Sequence, residues 1–186
     1  MTTMRKTGRR TAVVVFGMAV AALMLLPGAG EAQSMRLSGE LEKAQSHEAE
    51  AREQMESRAR WDRAAWNFRR AATLRATGDP VAVENFAMAG RLSYYLEDHD
   101  QAMRDMENAA AHALTAGDIV AAANYLMDAA WLAARDGRRE QAEILAGRAG
   151  LLAGAPAFGE SSRGEILARL DRAGIEAPTF TRTAGR

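Results

Sequence analysis

Ala82, Ala102, Ala122 and Ala142 stand twenty residues apart. A turn-forming segment shortly precedes each: Thr77-Gly78-Asp79-Pro80, Glu97-Asp98-His99-Asp100, Ala116-Gly117-Asp118 and Asp136-Gly137-Arg138. A fixed period of a few tens of residues is the mark of a stacked repeat, in which one unit buries its apolar face only against the next. Between the breakers, alanine and large apolar residues predict helices over 61–76, 80–96, 100–116, 118–135 and 139–153. Asp79 and Asp118 are placed to cap helix starts, and Pro80 suits a first helical position. Gly78, Gly117 and Gly137 sit where a helix ends and the backbone reverses. Short turns between helices of matched length predict antiparallel neighbours.

The alanines also predict how these helices meet. Ala102 is followed by Met106 and Ala109, Ala122 by Leu126 and Ala129, and Ala142 by Ala146 and Ala149. Steps of four and three keep each set on one helix face. A small side chain early in each helix lets a neighbouring backbone approach toward the low end of the roughly 8–10 Å interaxial range.

This rhythm resembles tetratricopeptide-like repeats, with Phe86, Ala89-Gly90, Ala102, Met106 and Ala109 most similar to one unit. The resemblance covers residues 61–154. Two helices here take 40 residues, which is similar to the longer forms of the repeat, as in kinesin light chains, rather than to the common 34-residue unit. The resemblance implies an all-α solenoid of antiparallel helical hairpins whose concave face binds a peptide or protein segment.

The flanking regions have other textures. Arg5, Lys6, Arg9 and Arg10 precede an apolar run from Ala12 to Leu26 and small residues ending at Ala32. That order predicts a signal peptide over residues 1–32, cut after Ala32 or alternatively after Ala29. The run is short of the roughly 20 residues a membrane span needs, though an uncleaved anchor stays open. Residues 33–60 read as a charged lead helix. Leu37, Leu41, Ala44, Ala51 and Met55 form its stripe, and Glu48 and Arg58 interrupt it. After Gly154-Ala155-Pro156, a capping helix is predicted within 155–175. Ser162 and Glu165 would make its capping box, and Ile166, Leu167 and Leu170 would face inward. Residues 176–186 read as a disordered tail.

Composition narrows function. The chain has 24 basic and 24 acidic side chains, and removing residues 1–32 leaves a net charge of −3. A mildly acidic array lacks the clustered positive charge that nucleic acid selects. There is no cysteine, so disulfides, thiolate metal sites and cysteine nucleophiles are excluded. His47, His99 and His112 form no metal-ligand spacing, and phosphate-loop and dinucleotide motifs are absent. No catalytic residue and no cofactor is expected.

One polar stripe recurs at the 40-residue period. Glu84, Met88, Arg91 and Tyr95 step by four, three and four, and Asn124, Asp128, Trp131 and Arg135 repeat those steps. Ile119, Val120, Ala122, Leu126, Ala129 and Ala133 make the rest of the second helix apolar, so its polar stripe faces water or a groove. Tyr, Trp and Arg are enriched at binding hot spots. The expectation is that both stripes line one surface, with Tyr95 and Trp131 as anchors. The competing expectation is that Trp131 leans on an adjacent helix. The functional expectation is an exported, non-catalytic scaffold, periplasmic or secreted. It would bind a protein or peptide, with no nucleic acid and no membrane contact once the leader is gone. The alternative is a structural protein self-associating through the 34–60 helix.

Overall fold

The structure, a computed structural model, describes residues 29–174, with side chains from Gln33 onward. The predicted leader lies outside the described residues except for its last four, and the predicted tail lies wholly outside them. Among the described residues there are seven α-helices and no strand: α1 (Ala29–Met55), α2 (Trp61–Leu74), α3 (Pro80–Tyr95), α4 (His99–Thr115), α5 (Ile119–Arg135), α6 (Arg139–Ala153) and α7 (Glu160–Arg172). The chain divides after Ser38. In the first unit Ser38 Oγ donates to the Met35 carbonyl at 2.9 Å; the second unit carries everything described below.

The ladder alanines are all buried, and so are the residues four and seven positions beyond them. Phe86 and Ala89 complete the same set in α3. The same spacing continues toward the N-terminus. Ala64, Phe68 and Ala71 make the set in α2, and Ala44, Glu48 and Ala51 make it in α1. Glu48 therefore does not interrupt the stripe of the lead helix. It fills the large position, 5% exposed, because its carboxylate accepts from Arg75 Nε at 2.7 Å and Asn85 Nδ2 at 2.8 Å. A buried carboxylate is tolerable only with such partners.

The turns have a common construction. Glu97, Gly117 and Gly137 each hold a positive φ, at 64°, 81° and 74°. In each turn the following N–H reaches back to the third-last helical carbonyl: Asp98 to Ser93 at 3.0 Å, Asp118 to Ala113 at 2.9 Å and Arg138 to Ala133 at 2.9 Å. This is the Schellman closure of a helix end. The same residue then starts the next helix. Asp98 accepts from the Gln101 N–H and Asp118 from the Ala121 N–H, and each ladder alanine closes the first turn onto the Asp98, Asp118 or Arg138 carbonyl. One residue ends a helix and begins another, so the chain reverses in three residues. Asp79 caps α3 by accepting from Val81 N–H at 2.9 Å.

Successive helices pack along the ladder. At Gly90 of α3 an added Cβ would stand 3.2 Å from the Ala102 carbonyl oxygen and 3.3 Å from Asp105 Cβ of α4. The close approach is thus seen at Gly90, late in α3. Each helix also bonds to the helix two further on. Glu48–Asn85, Arg69–Asp105, Tyr94–Arg135, Glu107–Arg148 and Asn124–Arg169 link α1–α3, α2–α4, α3–α5, α4–α6 and α5–α7, at sequence separations of 36 to 45. Each of these five bonds spans one intervening helix.

Two boundaries differ from expectation. The lead helix ends at Met55 instead of continuing to residue 60, and Arg58–Arg60 form a 3-10 turn. Trp61 Nε1 donates to the Met55 carbonyl at 3.0 Å, satisfying an end group of α1. The capping box at Ser162 and Glu165 does not form, because α7 begins at Glu160 with Gly159 as its N-cap. The linker sets that start: Phe158 is buried, and Arg163 donates to the carbonyls of Ala153, Ala155 and Phe158. Ile166 and Leu170 are buried as expected, and Leu167 packs partly against the same cluster.

Candidate partner-binding surface

The two predicted stripes meet in part. Arg91 and Tyr95 of α3 and Asp128 and Trp131 of α5 line one shallow cavity of about 160 Å³, with Met106 and Leu132 contributing apolar wall. The burial of Phe86 and Ala89 on one side of α3, and of Leu126 and Ala129 on one side of α5, leaves these stripes outward. Tyr95 is 57% exposed and Trp131 49%. Trp131 is about half exposed and stands edge-on to Tyr94.

Tyr94, which lies outside both predicted stripes, organises the surface. Its ring stands 5.6 Å from Trp131 in an edge-on arrangement, 5.5 Å from Tyr95 and 5.7 Å, stacked, from His99. Tyr95 continues the series to Trp61 at 5.8 Å. Arginines cap it: Arg58 lies over Trp61 at 5.6 Å, and Arg135 over Tyr94 at 5.3 Å and Trp131 at 5.6 Å. Offset and edge-on aromatic pairs and guanidinium–ring contacts are each individually favourable. A signal was present, because Tyr94 stands 41 residues before Arg135, close to the 40-residue spacing of the two stripes.

The remaining stripe residues divide. Glu84 is exposed and lies outside the cavity, and Met88 packs on the cluster around Ala51, Ala64 and Phe68. Asn124 and Asp128 are both held by Arg169 of α7, through Nη1 at 3.1 Å and through Nη2. The capping helix therefore lies along the polar stripe of α5 as well as on its apolar side. Among the described residues Arg91 has no hydrogen-bonding or ionic partner, which leaves it available at the cavity edge.

The base of the surface is pinned by charge. His99 Nδ1 donates to Asp136 at 2.6 Å, and Arg138 binds both Asp136 at 2.6 Å and Asp100 at 2.5 Å. The His99 bond holds the Asp136 carboxyl below its ordinary range, with Arg138 adding to it. The acid-rich turn Glu97-Asp98-His99-Asp100 is thus occupied in capping and ion pairing. Among the described residues no group of three His, Asp or Glu side chains could hold a metal ion, and no helix is long and apolar enough to cross a membrane.

A second, more polar cleft of about 570 Å³ lies between α1, α2 and the α3–α4 turn, with Trp66 at its wall. Behind it Asp105, fully buried, receives both Arg69 Nε contacts at 2.8 and 3.0 Å and Gln101 Nε2 at 2.9 Å. Burial pushes the Asp105 carboxyl up, and these donors work against it.

No protein-family model matches the chain, and neither does any curated protein or solved structure.

Proposed function

We propose that this chain is an exported, tetratricopeptide-like helical scaffold that binds a protein or peptide through the Tyr95–Trp131 surface, without catalysis. The observation that carries the reading is the surface itself. Two aromatic side chains, each about half exposed, stand beside an unpaired Arg91, on backbone held by the Tyr94–Arg135 contacts. Aromatic and arginine anchors around a small apolar pocket are the composition of an interface hot spot. The repeat reading is supported by the ladder, the shared turn construction and the bonding between alternate helices. Export is supported by the basic and apolar leader alone.

The test is affinity capture from the envelope fraction with wild-type protein and with Trp131→Ala and Tyr95→Ala. The expected result is one enriched protein whose recovery falls with either substitution and whose binding is reproduced with purified components. Equal recovery by all three would contradict the reading.

Self-association through α1 has one observation in its favour. Leu41 is an exposed apolar residue on that helix. Light scattering on wild-type protein and on Leu41→Glu separates the readings, since loss of an oligomer on substitution would favour self-association. Truncation before residue 61 is unsuitable, because it would remove Glu48 from Arg75 and Asn85.

A further inference from the structure

The cleft beside Trp66 has a chemistry different from the Tyr95–Trp131 surface. Asp62, Trp66 and Arg69 step by four and three along α2 and so share one face. All three line the cleft, and Trp66 is 55% exposed. Its floor is polar and already ordered. Asn67 accepts from His47 Nδ1 at 2.7 Å and donates to Gln54 at 3.1 Å, and Gln54 donates to Glu50 at 2.8 Å. Asn67, Gln54 and Ser93 are buried.

Charge narrows the ligand. Arg69 reaches the cleft, but its Nε is committed to Asp105 and its Nη2 donates to Ser93 Oγ at 2.8 Å. A guanidinium neutralised by a fully buried carboxylate can still donate from Nη1, yet it does not call for an anion. The rim adds carboxylates from Glu50, Asp62 and Asp98 against Arg63. A phosphate or a nucleic acid would meet net negative charge.

Shape narrows it further. Apart from the indole, the apolar wall consists of Ala65 and Leu96, which make no deep pocket for a peptide side chain. The volume is within the range of small-molecule clefts, roughly 300–1,000 Å³. A sugar ring fits these features together. Its C–H face carries partial positive charge and suits the negative face of an indole, while its equatorial hydroxyls both donate and accept. Asp62, Glu50 and Asp98 can accept from such hydroxyls, and Arg63, Arg69 and Gln101 can donate.

We infer that the Trp66 cleft is a binding site for a neutral oligosaccharide, with Trp66 as the stacking platform and Asp62 and Arg69 as hydrogen-bonding groups. It is independent of the protein-binding surface, whose anchors lie on α3 and α5.

The experiment is calorimetric titration of the purified protein with chitotriose, maltotriose and cellotriose, and with an uncharged acetylated tripeptide amide. At least one trisaccharide should bind, Trp66→Ala should weaken it by about tenfold or more, and Trp131→Ala should leave it within about twofold. Trp66→Phe should retain part of the affinity. Trp66 is exposed, so circular dichroism should show Trp66→Ala folded as wild type. The inference is overturned if no trisaccharide binds, if Trp66→Ala binds as well as wild type, or if the tripeptide binds in a Trp66-dependent manner instead.

Discussion

Arg135 and Tyr94, 41 residues apart in sequence, are joined twice: the guanidinium lies 5.3 Å from the centre of the ring and donates to its hydroxyl at 2.5 Å. The pair ties α3 to α5, and Trp131 lies against both partners. Arg135 is exposed, so solvent screens the contact and its contribution is at the low end for a charged hydrogen bond, about 0.5–1 kcal/mol. Tyr94→Phe and Arg135→Ala should each cost about that much in urea unfolding. The double variant should cost less than their sum, because both remove one interaction. Strict additivity would mean that the pair is not coupled.

Ala122 has no exposed surface and opens the ladder set of α5. Ala122→Leu should destabilise by about 1–3 kcal/mol, the usual range for overpacking a tight contact. At roughly 2–4 °C per kcal/mol for a chain of this size, the melting temperature should fall by several degrees. An unchanged melting temperature would remove Ala122 from the close helix contacts.

Glu97 is the one position in the three Schellman turns where a side chain is forced to a positive φ. Gly117 and Gly137 occupy the equivalent places. The left-handed conformation costs a non-glycine residue about 1–2 kcal/mol, partly offset by the greater unfolded freedom of glycine. Glu97→Gly should therefore raise stability by about 0.5–1 kcal/mol. A lower melting temperature would show that the Glu97 side chain contributes more than its backbone strain costs.

Acidification should weaken the fold through His112. Its Nδ1 is buried without a partner, its ring lies 5.2 Å from Phe86, and burial lowers its pKa from 6.5, with Asp79 the charge that opposes the shift. A group whose folded pKa is depressed contributes stability above its unfolded pKa and loses it as pH falls through the folded value. Wild type should therefore lose stability relative to His112→Leu between pH 7.5 and 5.5. Asp79 acts in the same sense at lower pH. Burial pushes its carboxyl up, but bonds from Arg75 and Val81 outweigh this and hold it below 3.8, so its contribution is lost only in acid. Parallel pH profiles for the two proteins would contradict the assignment to His112.

What the sequence revealed depended on range. The helix ends were legible because Gly-Asp and Asp-Pro act locally, and Asp79 and Asp118 both cap as their positions suggest. The burial of the ladder was legible because a period of twenty residues repeats it. Glu48 read as an interruption because the partners that make its burial possible, Arg75 and Asn85, lie 27 and 37 residues away. Arg169 was illegible for the same reason: nothing near it in sequence shows that it will hold Asn124 and Asp128. The Ser162–Glu165 pattern misled because Phe158 and Arg163 fix the helix start first.

The central claim is that the surface between Tyr95 and Trp131 is where a partner protein sits. The direct measurement is site-specific photocrosslinking in intact cells, with a benzoylphenylalanine at position 95 or 131 and, as control, at the exposed position 140. Positions 95 and 131 should give the same discrete crosslinked product, absent from position 140. No product at either position, or the same products at all three, would contradict the account.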